Sequence, residues 1–165
     1  MTTVQNTSIP GYVYPATPET KPHQYSQYEQ LVLKNASLFH KNFSDHNFEA
    51  NGPMVTSDIQ WYRNGELLEG REAFVEGISS FVGPFPDIII TDIFLTVDGN
   101  TATVRYVISG TQTAAYDSPW GLIEPTNRFV EFDGTEVLVF NDAGQVEYLS
   151  TIENLDELRS QLLDN

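Results

Sequence analysis

Apolar residues recur every three to four positions from about Tyr25 to Asn42, at Tyr28, Val32, Ala36, Phe39 and Phe43, which predicts an amphipathic helix. The stretch from Phe48 to Leu68 mixes turn residues with Ile59, Trp61 and Tyr62 and reads as short strands or an irregular wall, with a tight turn at Asn64-Gly65. A second helix is expected from near Gly70, with Phe74, Ile78, Phe81 and Val82 on one face and Gly83-Pro84 as its stop. The period then falls to two. Ile88 to Val97 and Ala102 to Ala114 form one predicted hairpin around Asp98-Gly99-Asn100. Arg128 to Phe140 and Gln145 to Ile152 form another around Asn141-Asp142-Ala143-Gly144, and Leu155, Leu158 and Leu162 mark a closing helix. This order predicts an α+β fold in which helices cover a curved antiparallel sheet. Residues 1–24 carry Pro10, Pro15, Pro18 and Pro22 and read as an extended arm without its own core, although Tyr12, Val13 and Tyr14 could pin it to the domain or to a neighbouring subunit. Residues 25–165 make up the single domain.

Composition narrows the function classes. The 165 residues hold 23 acids against 8 Lys and Arg, a formal charge of −15 that repels phosphate backbones and anionic lipid. Nucleic acid and membrane surfaces are therefore excluded as expected partners, and no apolar run is long enough to cross a bilayer. Cysteine is absent, which removes disulfides, thiol nucleophiles and thiolate metal sites. His23, His40 and His46 lack a two-ligand helical spacing, so no metal or cofactor is expected. His40 and His46, near the end of the first helix, read as capping or surface residues. With no secretory pattern at the N-terminus, cytoplasmic location is the default expectation.

Glu136 is the candidate for chemistry. Alternation places it on one strand face with Phe132, Leu138 and Phe140, while Glu131, Asp133, Thr135, Val137 and Val139 face the other way. A carboxylate in an apolar row can act as acid, base or hydrogen-bond donor. Two alternatives stand beside this: pairing with Arg105 or Arg128, or reaching water at the sheet rim. Asp58 reads as an exposed turn acid, and Trp61 and Tyr62 as core packing before ligand stacking. The loop from Ala114 to Glu124, with Tyr116, Trp120 and Leu122, reads either as a mouth wall or as a surface loop packing its own aromatics.

Gly70-Arg71-Glu72-Ala73, Phe85-Pro86-Asp87, Arg105, Gly110-Thr111-Gln112-Thr113 and Pro125-Thr126-Asn127-Arg128, in that order, resemble the SnoaL-like polyketide cyclases of the nuclear transport factor 2-like superfamily. The resemblance covers roughly residues 25 to 163. It implies a cone-shaped domain with a small-molecule cavity, pairing through the sheet into a homodimer. It also implies metal-free aldol ring closure in a polyketide ester, driven by an acid/base carboxylate. Gln112 stands where family members often carry His, and glutamine donates hydrogen bonds but exchanges no proton near neutral pH. Related ketosteroid isomerases place a base before the second helix, where this chain reads Trp61-Tyr62-Arg63. Limonene epoxide hydrolase-like enzymes need an Arg-x-Asp pair, and Arg105-Tyr106-Val107 lacks the acid. The expectation is a pocket for a small, apolar, oxygenated molecule, with Glu136 catalytic and Arg105, Gln112, Trp61, Tyr106, Trp120 and Arg128 contacting the ligand. The rival is a non-catalytic ligand-binding or assembly domain.

Overall fold

A computed structural model describes residues 24–164, so the arm expected over residues 1–24 lies almost entirely outside the described residues. Helix α1 (Gln27–Ser44) starts in a capping box: Ser26 Oγ accepts from the Glu29 amide, and the Glu29 carboxylate accepts from the Ser26 amide. A 3₁₀ segment (Phe48–Met54) leads into strands β1 (Val55–Arg63) and β2 (Glu66–Glu69), joined by the Asn64-Gly65 turn with φ of 50° and 89°. Helix α2 (Arg71–Ser79) ends before Phe81 and Val82, which the periodicity places on it. Strands β3 (Ile89–Asp98), β4 (Thr101–Thr111), β7 (Phe129–Phe140) and β8 (Val146–Glu153) follow as the hairpin pattern predicts. A small hairpin, β5 (Tyr116–Ser118) with β6 (Gly121–Ile123), interrupts them, and α3 (Leu155–Leu163) closes the chain, capped by Asn154.

The six-stranded sheet runs β2-β1-β8-β7-β4-β3. Strands β4 and β7 pair antiparallel through eleven residues, Thr101↔Val139 to Thr111↔Phe129. The predicted curved antiparallel sheet is present, and the stretch read as short strands or an irregular wall adds β1 to it, parallel to β8. A hairpin cannot make that pair; β1 reaches it across the fold because its Val55, Ile59 and Trp61 complete the inner face. Along β4 and β7 every second side chain is buried beneath the helices, including Val104, Tyr106, Ile108, Phe132, Glu136 and Leu138. Helix α1 sends Val32, Ala36, Phe39, His40 and Phe43 into the same core. Among the described residues no helix is long and apolar enough to cross a membrane.

Several motif residues turn out to hold the fold. The Asp87 carboxylate accepts from the Thr111 amide at 2.6 Å and from its hydroxyl at 2.9 Å, tying Phe85-Pro86-Asp87 to the end of β4.

Candidate functional site

A cavity opens beneath α1 on the inner face of the sheet, with Phe39, Trp61, Phe81, Ile108 and Leu149 as its apolar lining. His40, Arg63, Tyr106, Glu136, Thr151 and Glu153 supply its polar groups. Its free volume is about 40 Å³, room for a few waters and far below the ~300 Å³ of an ordinary ligand pocket. A wider cleft of about 810 Å³ adjoins it, walled by Leu68, Tyr116, Asp117, Ser118 and Pro119. The two share Arg63, Phe81 and Glu153. Arg63 closes the junction by stacking its guanidinium 4.6 Å from the Phe81 ring centre and 5.2 Å from that of Trp61. Its contacts to Glu153 are long, 3.4 and 3.5 Å, and Nη1 adds a 3.3 Å hydrogen bond to the Gly77 carbonyl.

At the inner end His40 lies between two acids. Nδ1 is 2.5 Å from Asp92 Oδ1 and Nε2 is 2.7 Å from Glu136 Oε1. The His40 and Glu136 side chains are each 6% exposed, and Asp92 is 29% exposed. Burial alone pulls the imidazole toward the neutral form. The charge of Glu136, the hydrogen bond to Asp92, the close contact with Glu136 and the charge of Asp92 override it and push His40 up to about 10. The Glu136 contact is close but poorly directed: Oε1 counts as an ion-pair partner of His40 while receiving no aligned hydrogen bond. A buried carboxylate oxygen so placed is open to a hydrogen bond from a molecule in the cavity. His40, Asp92 and Glu136 do not converge on one point, and no group of three or more such side chains among the described residues is arranged to hold a metal.

Of the residues expected to contact a ligand, Glu136, Trp61 and Tyr106 line the cavity, and four do not. Arg105 lies on the opposite sheet face, where Nη2 meets Asp133 Oδ2 at 2.8 Å, because strand alternation separates it from Tyr106. Arg128 donates to the carbonyls of Gln161, Leu162 and Asp164 and so caps α3; neither arginine pairs with Glu136. Trp120 packs against the core from the β5–β6 turn. Gln112 is fully buried as a staple: Nε2 donates to the Ala114, Ile123 and Glu124 carbonyls, while Oε1 accepts from the Thr126 amide and hydroxyl. Glutamine suits this post because it offers two donors and an acceptor on one side chain. Gln112→Ala is expected to cost at least about 2 kcal/mol in urea unfolding and to expose the 113–126 amides to hydrogen exchange. Wild-type stability in that variant would refute the staple.

The sequence reading missed His40, Asp92, Arg63 and Glu153. His40 is a buried cavity residue, not the capping or surface group expected of it. It falls four residues after Ala36 and three before Phe43, on the buried stripe itself. Asp92 follows Ile88 and Ile90 in strand phase, just before a bulge between Asp92 and Phe94, and reaches His40 from the exposed edge strand. Asp58 is exposed, but on β1 rather than in a turn.

The SnoaL-like domain model matches residues 36–148, and the chain belongs to that family. Its fold is similar to a protein from Jannaschia sp. CCS1 described as a SnoaL-like polyketide cyclase, with a TM-score of 0.77 at 15% identity over 87% of this chain and 99% of that one. AclR from Streptomyces galilaeus, described as a hydroxylase, has a TM-score of 0.72 at 16% identity over 81% and 96% of the two chains. A protein from Kribbella flavida DSM 17836 described as a ketosteroid isomerase has a TM-score of 0.58 at 16% identity over 76% and 78%. No curated protein matches the chain by sequence.

Proposed function

We propose that this protein is a cofactor-independent acid/base catalyst, a cyclase or isomerase, for a small, largely apolar, oxygenated molecule. The observation that carries the reading is Glu136 itself: a buried carboxylate, lining an apolar cavity, with one oxygen lacking an aligned hydrogen bond. The proton moves between substrate carbon and the Glu136 carboxylate. His40, held in orientation by Asp92, compensates the charge that Glu136 carries before capture. The cavity is too small for a whole polycycle. The reacting end therefore enters it while the bulk of the molecule occupies the cleft, displacing Arg63 and Phe81 from their stack. A protein of this kind needs only an apolar site and a placed carboxylate, which fits a cytoplasmic location.

Proton exchange tests the reading whatever the final product is. Small ketones and ketoesters are incubated with the protein in D₂O, and loss of the acidic C–H signal is followed by NMR. Exchange above the buffer rate supports catalysis. Buffer-rate exchange across a set of bound compounds would leave a binding module.

The family resemblance also supports a homodimer formed through the outer sheet face. That face carries Val107, Val137, Val139 and Ile152, the last 69% exposed. Sedimentation equilibrium is expected to give twice the chain mass, and Val137→Lys to give the monomer. A monomeric wild-type protein at high micromolar concentration would refute it.

A further inference from the structure

We propose that the Tyr106 hydroxyl is the donor that stabilises the negative oxygen formed when Glu136 removes a proton, and that Gly134 exists to seat it there. The inference rests on the Glu136 reading and adds the second half of the chemistry. Tyr106 is 2% exposed and lines the cavity, and its hydroxyl, which is not one of the fully buried orphaned atoms, donates to none of the described residues and keeps contact with the cavity space. A phenol so placed is open to donate to a molecule that enters the cavity. Burial, followed by the charge of Glu136, keeps this hydroxyl protonated far above neutrality, so it is always a donor.

The register explains how the ring reaches the site. Tyr106 on β4 pairs directly with Gly134 on β7. A Cβ on Gly134 would fall 2.6 Å from Tyr106 Cε2 and Cζ and 2.7 Å from Oη, so the ring lies over the bare glycine backbone. Any other residue would push it away. Gly134 is two positions before Glu136 on the same strand face and pairs with Glu153 on β8. The hydroxyl thus sits on the cavity side of β7, one strand repeat (roughly 7 Å of backbone) from the base. A carbonyl oxygen and the acidic hydrogen on its neighbouring carbon would bridge the phenol and the Glu136 carboxylate, which line the same cavity. The charged groups around the hydroxyl are Glu136, Glu153, Arg63 and Asp133, and His40 packs edge-on to the ring at 5.1 Å.

The step balances without another reagent. The C–H bond breaks as the Glu136 O–H bond forms, and the electron pair moves onto the carbonyl oxygen, which accepts a hydrogen bond from Tyr106. Return of the proton to another carbon gives an isomer; attack of the enolate carbon on a second carbonyl closes a ring. The substrate class is therefore an enolisable carbonyl compound whose oxygen faces β7. Tyr106 is a catalytic residue in this scheme and Gly134 a positioning residue.

Binding of 4-nitrophenolate, a stable oxygen anion with a visible spectrum, tests the donor apart from turnover. The host is Glu136→Gln protein, whose uncharged side chain stands for Glu136 after proton capture. Adding Tyr106→Phe is expected to weaken nitrophenolate binding about 10- to 100-fold, the loss for a hydrogen bond to a charged acceptor. The melting temperature should not change, since no protein partner is lost. Adding Gly134→Ala instead is expected to weaken binding similarly although the phenol is intact. Equal affinity with and without the Tyr106 hydroxyl overturns the proposal, as does the absence of saturable binding in the host. Failure of the Glu136 reading shows elsewhere, as unimpaired proton exchange in Glu136→Gln protein.

Discussion

Glu136→Gln should reduce proton exchange by ~10²–10⁴-fold while substrate affinity largely survives. Glutamine keeps the shape of the side chain and leaves an oxygen where Glu136 Oε1 meets His40 Nε2 at 2.7 Å, so the inner wall should stay in place. What it loses is the ability to hold a substrate proton. A loss in kcat without a matching rise in KM identifies an interaction made at the transition state, which is the signature of a proton-transferring group. A rise in KM alone would make Glu136 a binding residue, and unchanged exchange would end the assignment. Thermal unfolding of the same variant separates these outcomes from misfolding. The comparison with Gln112→Ala sharpens the result further. That substitution acts on a loop staple outside the cavity, so its effect should appear first in stability.

Alternation and periodicity made most of the fold legible. The spacing of Val32, Ala36, Phe39 and Phe43 gave α1, and the period-two stretches gave β3, β4, β7 and β8 with Glu136 on the inner face. The parallel β1–β8 pair was not legible, because it joins segments some ninety residues apart and no local turn announces it. The site was legible only in part, for a related reason. Glu136, Trp61 and Tyr106 are inner-face residues of strands, where alternation decides direction. Arg105 sits one residue from Tyr106 and so faces out. Gln112 and Trp120 lie past the regular part of β4, where alternation stops being informative. His40 needed the converse treatment, since a polar residue in phase with an apolar stripe is a buried polar group. By that rule His40 enters the core from sequence, while Asp92 shares the phase of Ile88 and Ile90 but stays exposed on the edge strand. Their meeting with Glu136 depends on the packing of α1 against the sheet.

Folding stability should fall as pH rises from neutrality toward 10, and His40 should be the cause. In the unfolded chain the imidazole returns to its ordinary value of 6.5; in the fold, Glu136 and Asp92 outweigh burial and hold it at about 10. A group that binds its proton more tightly when folded contributes stability that is complete below about 6.5. The contribution is lost progressively as pH climbs through the folded value. The groups facing the ring are Asp92 from β3, Glu136 from β7 and Tyr106 from β4, whose own hydroxyl titrates above this window. Urea unfolding between pH 6 and pH 10.5 should show a decline of the order of a few kcal/mol in wild-type protein. His40→Gln strands two carboxylates without their cation and should cost about 3 kcal/mol near pH 6. That gap should narrow at alkaline pH, where wild-type His40 is itself neutral, so the two curves converge. A flat wild-type curve would mean that His40 is neutral in the fold at pH 7, and Glu136 would then face the substrate without a compensating charge.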